Sequence, residues 1–433
     1  RDVKDAKNRF YLLDTARMFE KQEYPKIIYN GRMFIKPKVL DRQNFLEHGH
    51  YFKDYYVSRS FERLNSLGIF RNITPEVTED FDTEGNYVRV DYYLTPSKRQ
   101  YFKIEPKSTH SSSVLGVSAS INYINKNLFR GAERLQVDFS GGFQYQPPLT
   151  SSDNENQNFG FNTYEFGPTV SLTLPTLFPF KPPKRAYPET EFKIRYNFQN
   201  RPEYLRHQSV ASMAYIFYEV HKSRRHQYSP LVLKINQIET SDEFQQRIED
   251  LNDEFLKNTF IDNFTLGSNY TFKFTNEPLI SATHQSRFNF IGKIDIAGNL
   301  LRLAKVGSNN TNSEGSYTIA GIPYTQFFRA DADFQYHYWL DKENTSSVNF
   351  RFNAGVGVPY GNSPTLPFDY SFFAGGSNSV RAFPARSLGP GAFLDTINSA
   401  SRIGDFRMLG TFEYRFDIVS FFEGALFADF GNI

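Results

Sequence analysis

The stretch QFFRADADFQYHYWL, residues 326–340, alternates between two kinds of side chain. Its even positions are aromatic or alanine from Phe328 to Tyr338, whereas the odd positions from Arg329 to His337 are charged or polar. Successive side chains of a β-strand point to opposite faces, so this stretch predicts a strand with one apolar and one charged face. The same period of two recurs after Ser108 and continues to the end of the chain.

The alternation predicts about thirteen strands over residues 103–433. They lie near 103–111, 114–124, 133–146, 163–175, 189–200, 207–219, 227–239, 262–275, 285–298, 325–340, 347–358, 404–417 and 421–432. A soluble β-sandwich also alternates in this way. Aromatic residues at both strand ends, with charges in mid-strand, favour a mostly β fold, a transmembrane antiparallel β-barrel. Single-chain barrels usually have an even strand number, so about 16 strands are expected, with three beyond residue 433.

The composition limits the other classes of protein. The 433 residues include 45 Phe and 27 Tyr, no Cys, and a net charge of +2. Without cysteine there is no disulfide scaffold or thiolate metal site, and a nearly neutral chain has no strong field for nucleic acid. Mean hydropathy is −0.52, and no apolar run is long enough for a membrane helix. The opening RDVKDAKNRF lacks the apolar core of a signal peptide, which indicates a mature chain or a fragment.

The first hundred residues have a different pattern. Residues 1–23 are predicted to form a polar helix, either a linker or the end of a preceding module. Residues 24–102 predict a β-α-α-β-β module, with a strand at KIIYNGR, helices at 38–49 and 55–70, and two final strands. Gly68 suits the end of the second helix. A further amphipathic helix is predicted within the barrel, at 241–258, where it either caps the barrel mouth or binds a partner.

One segment, FFAGGSNSVRAFPARSLGPGAF at 372–393, places Arg381 and Arg386 in glycine-rich surroundings. Its glycines permit tight turns and its prolines stiffen the path, so an ordered loop is expected; the four turn glycines are Gly375, Gly376, Gly389 and Gly391. If the loop folds into the lumen, Arg381 needs a carboxylate partner. The period of the next two strands points Glu413 and Asp429 into that lumen.

These motifs together resemble the Omp85 superfamily. The similarity lies in Val380-Arg381-Ala382-Phe383, in FADFG at the last strand, and in NKNLFRGAE at 125–133, which is similar to the family's turn between the second and third strands. The family has Gly where this chain has Ala382, which puts a left-handed backbone there in doubt. Within the superfamily, SNSVRAFPARSLGPG most resembles the TamA-like (TamL) branch of Bacteroidota.

The resemblance implies that residues 24–102 are a periplasmic POTRA domain and 103–433 a barrel in the bacterial outer membrane. It also implies that Arg381 binds Glu413 and Asp429, and that the protein assembles, inserts or translocates outer-membrane proteins without nucleotide or other cofactor. The expected partners are the outer-membrane lipid bilayer, unfolded outer-membrane clients, and a TamB-like or Bam accessory protein at the POTRA domain, with no nucleic acid.

The physical basis expected for this function is a weak seam at the first strand, FKIEPKSTHSS, which contains Pro106. A poorly specified edge can offer its backbone groups to an incoming strand. The alternatives are a two-partner-secretion-type transporter or passive pore of the same superfamily, and a soluble β-rich surface protein.

Enzyme motifs are absent from the sequence: it contains no G-x-S-x-G, H-E-x-x-H or P-loop. His48 and His50 form an H-x-H without a third metal ligand nearby, and a solvated helix end explains them better. Asp331 and Asp333 lie two apart on one strand face, but Arg329 beside them favours an ion-paired lining over a hydrolase dyad. We therefore expect no enzymatic activity and no bound metal.

Overall fold

A computed structural model of the chain describes residues 5–12, 16–19, 26–30, 33–47, 50–82, 85–111, 114–145, 161–180, 188–219, 223–250, 257, 260–276, 286–304, 310–312, 315–384, 387–392, 403–419 and 421–433. The chain divides into two compact units. The first comprises Arg1–Lys103, Asn122–Val137 and Val170–Thr190; the second comprises Ile104–Ile121, Asp138–Thr169 and Glu191–Ile433.

The first unit contains an α+β module. Its elements are β1 (Asp5–Leu12), β2 (Ala16–Phe19), β3 (Lys26–Asn30), α1 (Pro37–Arg42), α2 (Asp54–Ser66), β4 (Phe70–Asp82) and β5 (Gly85–Pro96). The five strands form one mixed sheet in the order β2-β3-β1-β5-β4. From β3 to β5, the predicted order β-α-α-β-β is confirmed.

The predicted helix over residues 1–23 is wrong, because the described part of this stretch forms β1 and β2. β1 lies between β3 and β5 and pairs in parallel with both. Its hydrogen-bond partners are therefore up to about eighty residues away in sequence, and a local pattern of polar residues does not reveal them.

The first helix of the module is shorter than predicted, since α1 ends at Arg42 rather than near residue 49. The Asn44 side chain bonds both backbone groups of Leu46, accepting from its nitrogen at 3.1 Å and donating to its oxygen at 2.9 Å. Such local bonds compete with helix continuation. α2 agrees more closely with its prediction, and Gly68 follows it with a φ of +66°.

The core of the module lies between α2 and β5. Leu64 from α2 and Val90, Tyr92 and Leu94 from β5 are completely buried. The Tyr92 hydroxyl donates to the backbone oxygen of Val57 at 3.3 Å. Burial raises the pKa of Tyr92 to about 12, so this phenol remains a neutral donor at ordinary pH.

A thirteen-stranded sheet confirms the thirteen predicted strands, with ends shifted by a few residues. Its strands are β6 (Gln100–Ser111), β7 (Val114–Asn125), β8 (Arg134–Tyr145), β9 (Thr163–Leu174), β10 (Glu189–Asn200), β11 (Tyr204–Glu219), β12 (Arg224–Thr240), β13 (Asn263–Thr275), β14 (Ser286–Ala297), β17 (Phe327–Trp339), β18 (Ser346–Pro359), β19 (Phe406–Val419) and β20 (Phe422–Asn432). A separate ribbon joins β15 (Thr318–Ile319) to β16 (Ile322–Pro323).

Each strand of the large sheet pairs with the neighbours next to it in the chain, and the pairs from β11 to β20 are antiparallel. The end strands are β6 and β20, and in the described residues the sheet is open, because these two strands do not pair. The expectation of sixteen strands in a closed barrel stays a prediction.

Burial on the sheet is reversed relative to a soluble sandwich. Asn236 and Asn353 are 3% and 5% exposed, whereas Ile294 and Val356 on the opposite face are each 41% exposed. We call the face that carries Asn236, Asn353 and Glu413 the inner face. Buried polar groups opposite exposed apolar groups are what strands show when their outer face meets lipid.

The turn NKNLFRGAE connects β7 to β8, the second and third strands of the sheet, as predicted. The Asn127 side chain fixes it by accepting from the Ala132 nitrogen at 2.9 Å and donating to the Phe34 oxygen at 2.7 Å. Ala132 is 5% exposed and belongs to the same apolar core as Leu64. The turn is thus packed onto the module within the first unit.

The helix predicted at 241–258 is described as α3 (Asp242–Asp250), while residues 251–256 and 258–259 lie outside the described residues. Phe244 and Ile248 are buried against Tyr204 and Phe260. Because this apolar face is already covered, the structure favours a capping role for α3 over a partner-binding role. A short α4 (Asn299–Leu303) precedes β15, and none of the described helices is long and apolar enough to cross a membrane.

Candidate functional site

The segment between β18 and β19, residues 360–405, is the longest connection of the large sheet, and we call it the long loop. Phe372 and Gly404 close its base, since each backbone nitrogen donates to the other residue's oxygen, at 2.8 and 2.9 Å. Gly375 and Gly376 have φ angles of +99° and +98°. A Cβ on Gly375 would lie 2.1 Å from the Pro384 oxygen, so this turn requires glycine.

The motif Val380-Arg381-Ala382-Phe383 continues that turn. Val380 is 5% exposed, and its oxygen accepts from the Phe383 nitrogen at 3.2 Å. Ala382 does not have a positive φ, so alanine fits there without strain. The other two turn glycines, Gly389 and Gly391, have φ angles of +82° and +56°. The Gly391 nitrogen donates to the Ile433 oxygen just after β20 at 3.1 Å, and Arg386 lies outside the described residues.

The Arg381 side chain lies between two acids of neighbouring strands. Its Nε and Nη2 atoms each donate to Asp429 at 2.8 Å, and its Nη1 donates to Glu413 at 2.6 Å. The Arg381 backbone nitrogen also donates to Asp429, at 3.0 Å. The guanidinium carbon lies 3.5 Å from the centre of the Phe427 ring.

Both acids are nearly buried. The side chains of Glu413 and Asp429 are 9% and 5% exposed, against 25% for Arg381. Glu413 also accepts from Arg415 on its own strand. The hydrogen bonds that Arg381 donates to Asp429 and Glu413 outweigh burial and raise the pKa of Arg381 above its already high ordinary value, so it remains a cation. This fork of charged hydrogen bonds fixes the loop to β19 and β20 at once.

The sequence also matches a known family. A model described as the Omp85 superfamily domain matches residues 100–433. The chain belongs to the Omp85 superfamily. The matched region contains the whole thirteen-stranded sheet and the long loop, so the motif at Arg381 lies within an Omp85 domain.

Solved structures show the same fold. BamA from Haemophilus ducreyi lacking POTRA domains 1–3 is 13% identical, with a TM-score of 0.59, and the match covers 96% of this chain and 76% of that one. CdiB from Acinetobacter baumannii is 12% identical, with a TM-score of 0.54, and the match covers 99% of this chain and 63% of that one. At these identities the likeness is one of fold.

Three arginines of this Omp85 domain's inner face hold the backbone of the long loop. Arg329 Nε donates to the Tyr370 oxygen at 2.9 Å, and Arg351 Nη1 donates to the Asn378 oxygen at 2.8 Å. Arg407 Nη1, the third, donates to the Phe373 oxygen at 3.5 Å. Arg407 and Arg329 also lie against the ring of Phe372, at 5.1 and 4.3 Å from its centre. The loop is therefore in contact with β17, β18 and β19 as well as with β20.

The two aspartates considered as a hydrolase dyad instead fix these arginines. Asp331 accepts from Arg329 at 2.8 Å and from Arg407 at 3.2 Å. Asp333 accepts from Arg351 at 2.6 Å. This confirms the prediction of an ion-paired lining at these residues. For the H-x-H pair, His50 is exposed and His48 lies outside the described residues.

The sequence pattern predicts Arg381, Glu413 and Asp429 in one lumen, and in the structure the Arg381 side chain contacts both acids. The stacking of Phe427 on the guanidinium was not predicted, although the period of two places Phe427 on the same face as Asp429. The contacts of Arg351 and Arg407 with the loop were not predicted either. The alternation does place both arginines at polar positions of their strands, which indicates that they face the same side as Glu413.

Proposed function

We propose that this Omp85 chain is an assembly factor that inserts or folds other outer-membrane barrel proteins, without nucleotide and without a chemical step of its own. It acts in the outer membrane, with the α+β module serving as a POTRA domain in the periplasm. Its partners are unfolded outer-membrane clients and a periplasmic TamB-like or Bam accessory protein. A place in the TamA-like branch is also a proposal, supported only by the loop sequence.

The observation that carries this proposal is the poor packing of β6, the first strand of the sheet. Between residues 100 and 108 every side chain except that of Glu105 is exposed, and the large apolar side chains Phe102 and Ile104 are 71% and 70% exposed. Pro106 removes one backbone donor from the strand, and proline within sheets belongs to edge strands. A strand with few buried contacts opens at low cost, and its backbone groups then become available to a client strand.

A two-partner-secretion-type transporter or pore is the second candidate. It is favoured by a cavity of about 490 Å³ beside Arg381, which the long loop leaves unfilled. Its lining includes the aromatic residues Tyr336 and Trp339 as well as Arg287, Arg351 and Arg415, so cations are available there to hydrated solutes or an extended chain.

Reconstitution into liposomes separates the two functions. We expect the protein to accelerate folding of a urea-unfolded barrel client, followed by its heat-modifiable gel mobility, while single-channel conductance stays small and intermittent. Pro106→Val restores a backbone donor through which β6 can pair with a strand that closes the seam. It should slow client folding by about fivefold, since one hydrogen bond contributes about 1 kcal/mol. Ile104→Val is the matched control on the same strand. Steady conductance without accelerated client folding would favour the transporter or pore instead.

A further inference from the structure

A second charged contact holds the long loop, far along the sheet from Arg381. The carboxylate of Asp369 lies over the inner face of β11 and β12. It is 2.5 Å from Lys234 Nζ and 3.4 Å from Arg206 Nη1, and it accepts from Gln208 at 3.0 Å and from Asn236 at 3.1 Å. Four donors from two strands thus converge on one loop carboxylate.

The receiving groups are arranged in advance by the sheet. Gln208 and Asn236 are both 3% exposed, and Gln208 donates to Asn236 at 2.9 Å. Asn236 in turn donates to Asn263 on β13 at 3.0 Å. Buried amides and cations without an anion would be costly, so this face requires a carboxylate such as that of Asp369.

The residues on either side of Asp369 also make contacts with the rest of the second unit. The Phe368 ring lies 5.9 Å from Phe260, which belongs to the cluster under α3. The Tyr370 ring lies 4.5 Å from Phe327 and beneath Lys234 Nζ at 5.0 Å. Attraction to Lys234 and Arg206 outweighs the effect of burial and lowers the pKa of Asp369, so it remains ionised at neutral pH.

The two contacts use opposite charges on separate parts of the sheet. A loop carboxylate meets cations at β11 and β12, whereas the loop guanidinium of Arg381 meets acids at β19 and β20. β12 and β19 are separated by β13, β14, β17 and β18. Five strand spacings amount to about 24 Å along the sheet, and twelve residues extend to at most about 40 Å, so one short stretch of loop connects both places.

We propose that Asp369 is a positioning residue that anchors the long loop independently of Arg381, so that the loop leaves the inner face only when both anchors are broken. The inference concerns where the loop sits and does not depend on whether the protein assembles clients or exports a substrate.

Two buried positions, one beside each anchor, report on whether the loop stays on the inner face. Ser371 and Val380 are 8% and 5% exposed, and the chain has no cysteine, so a single cysteine at either position is the only site for a maleimide. In otherwise unchanged protein, both Ser371→Cys and Val380→Cys should react slowly. Asp369→Asn should accelerate labelling at position 371 by roughly tenfold or more and leave position 380 protected. Arg381→Ala should accelerate labelling at position 380 and leave position 371 protected.

Combining Asp369→Asn with Arg381→Ala should expose both positions. Lys234→Gln removes the same anchor from the sheet side and should reproduce the effect of Asp369→Asn. Asp341→Asn, in another turn, is the matched control, and heat-modifiable mobility verifies folding of every variant. The proposal is overturned if Arg381→Ala alone exposes both positions, or if neither Asp369→Asn nor Lys234→Gln changes labelling at position 371.

Discussion

At the scale of single residues, the site depends on the shape of a guanidinium. Arg381 donates through two nitrogens to Asp429 and through a third to Glu413, while its plane covers Phe427. A lysine carries the same charge at one point, without a planar fork. The geometry therefore explains why arginine is needed here for reasons beyond its charge.

We expect Arg381→Lys to lower the free energy of unfolding by about 2 kcal/mol, because the paired hydrogen bonds to Asp429 are lost while the charge is retained. Urea unfolding followed by the fluorescence of Trp339, the single tryptophan, measures this change. Arg415→Lys is a matched control, since that side chain is 55% exposed and should contribute little. Equal losses for the two variants would contradict this explanation.

The turn between β17 and β18 contains a carboxylate that should respond to acid. Asp341 accepts from the Ser346 hydroxyl at 2.5 Å and from the backbone nitrogens of Thr345 and Ser346 at 2.8 and 2.7 Å. These bonds, that to the Ser346 hydroxyl foremost, lower the pKa of Asp341 from 3.8 to about 2. Because the folded pKa is the lower one, stabilisation of the turn is complete above about pH 4 and is lost as pH falls through about 2.

Hydrogen exchange of the amides of Thr345 and Ser346, corrected for intrinsic rates, should therefore show constant protection from pH 6 to 4 and declining protection down to pH 2. Asp341→Asn removes the titrating group, so its protection should not vary over that range. A turn whose protection falls between pH 6 and 5 would exclude Asp341 as the cause.

At the scale of elements, α3 is held by one face. Phe244 and Ile248 are 2% and 4% exposed, and the Phe244 ring meets Phe260 edge to face at 5.1 Å. Phe244→Ala should lower the free energy of local opening of α3 by about 3 kcal/mol, measurable by hydrogen exchange across residues 242–250. Glu243→Ala, at the exposed neighbour, should leave exchange nearly unchanged. If both variants exchange alike, α3 is not held by this face.

Elements were predictable where the pattern is local. The thirteen strands follow from alternation, and the end of α2 follows from Gly68. β1 and β2 were not predictable, because their stability comes from pairing with β3 and β5 rather than from their own residues. The early end of α1 depends on the way one side chain, Asn44, turns back on Leu46.

At the scale of the whole second unit, the loop contacts depend on residues far apart in sequence. Arg381 with Glu413 and Asp429 was predictable, since an arginine in an apolar glycine-rich loop needs acids and the next two strands supply them inward. Asp369 was not, because its partners Lys234 and Arg206 precede it by more than 130 residues among many other lining charges. Only the folded sheet brings that carboxylate to those cations.

The central claim is that Arg381 fixes the long loop to the sheet through Asp429 and Glu413, and a double-mutant cycle tests it most directly. Arg381→Gln and Asp429→Asn are compared singly and together by urea unfolding, with Trp339 fluorescence as the signal. We predict a coupling energy of about 2 kcal/mol, against roughly zero for a control cycle of Arg381→Gln with Asp341→Asn. A coupling near zero between Arg381 and Asp429 would contradict the claim.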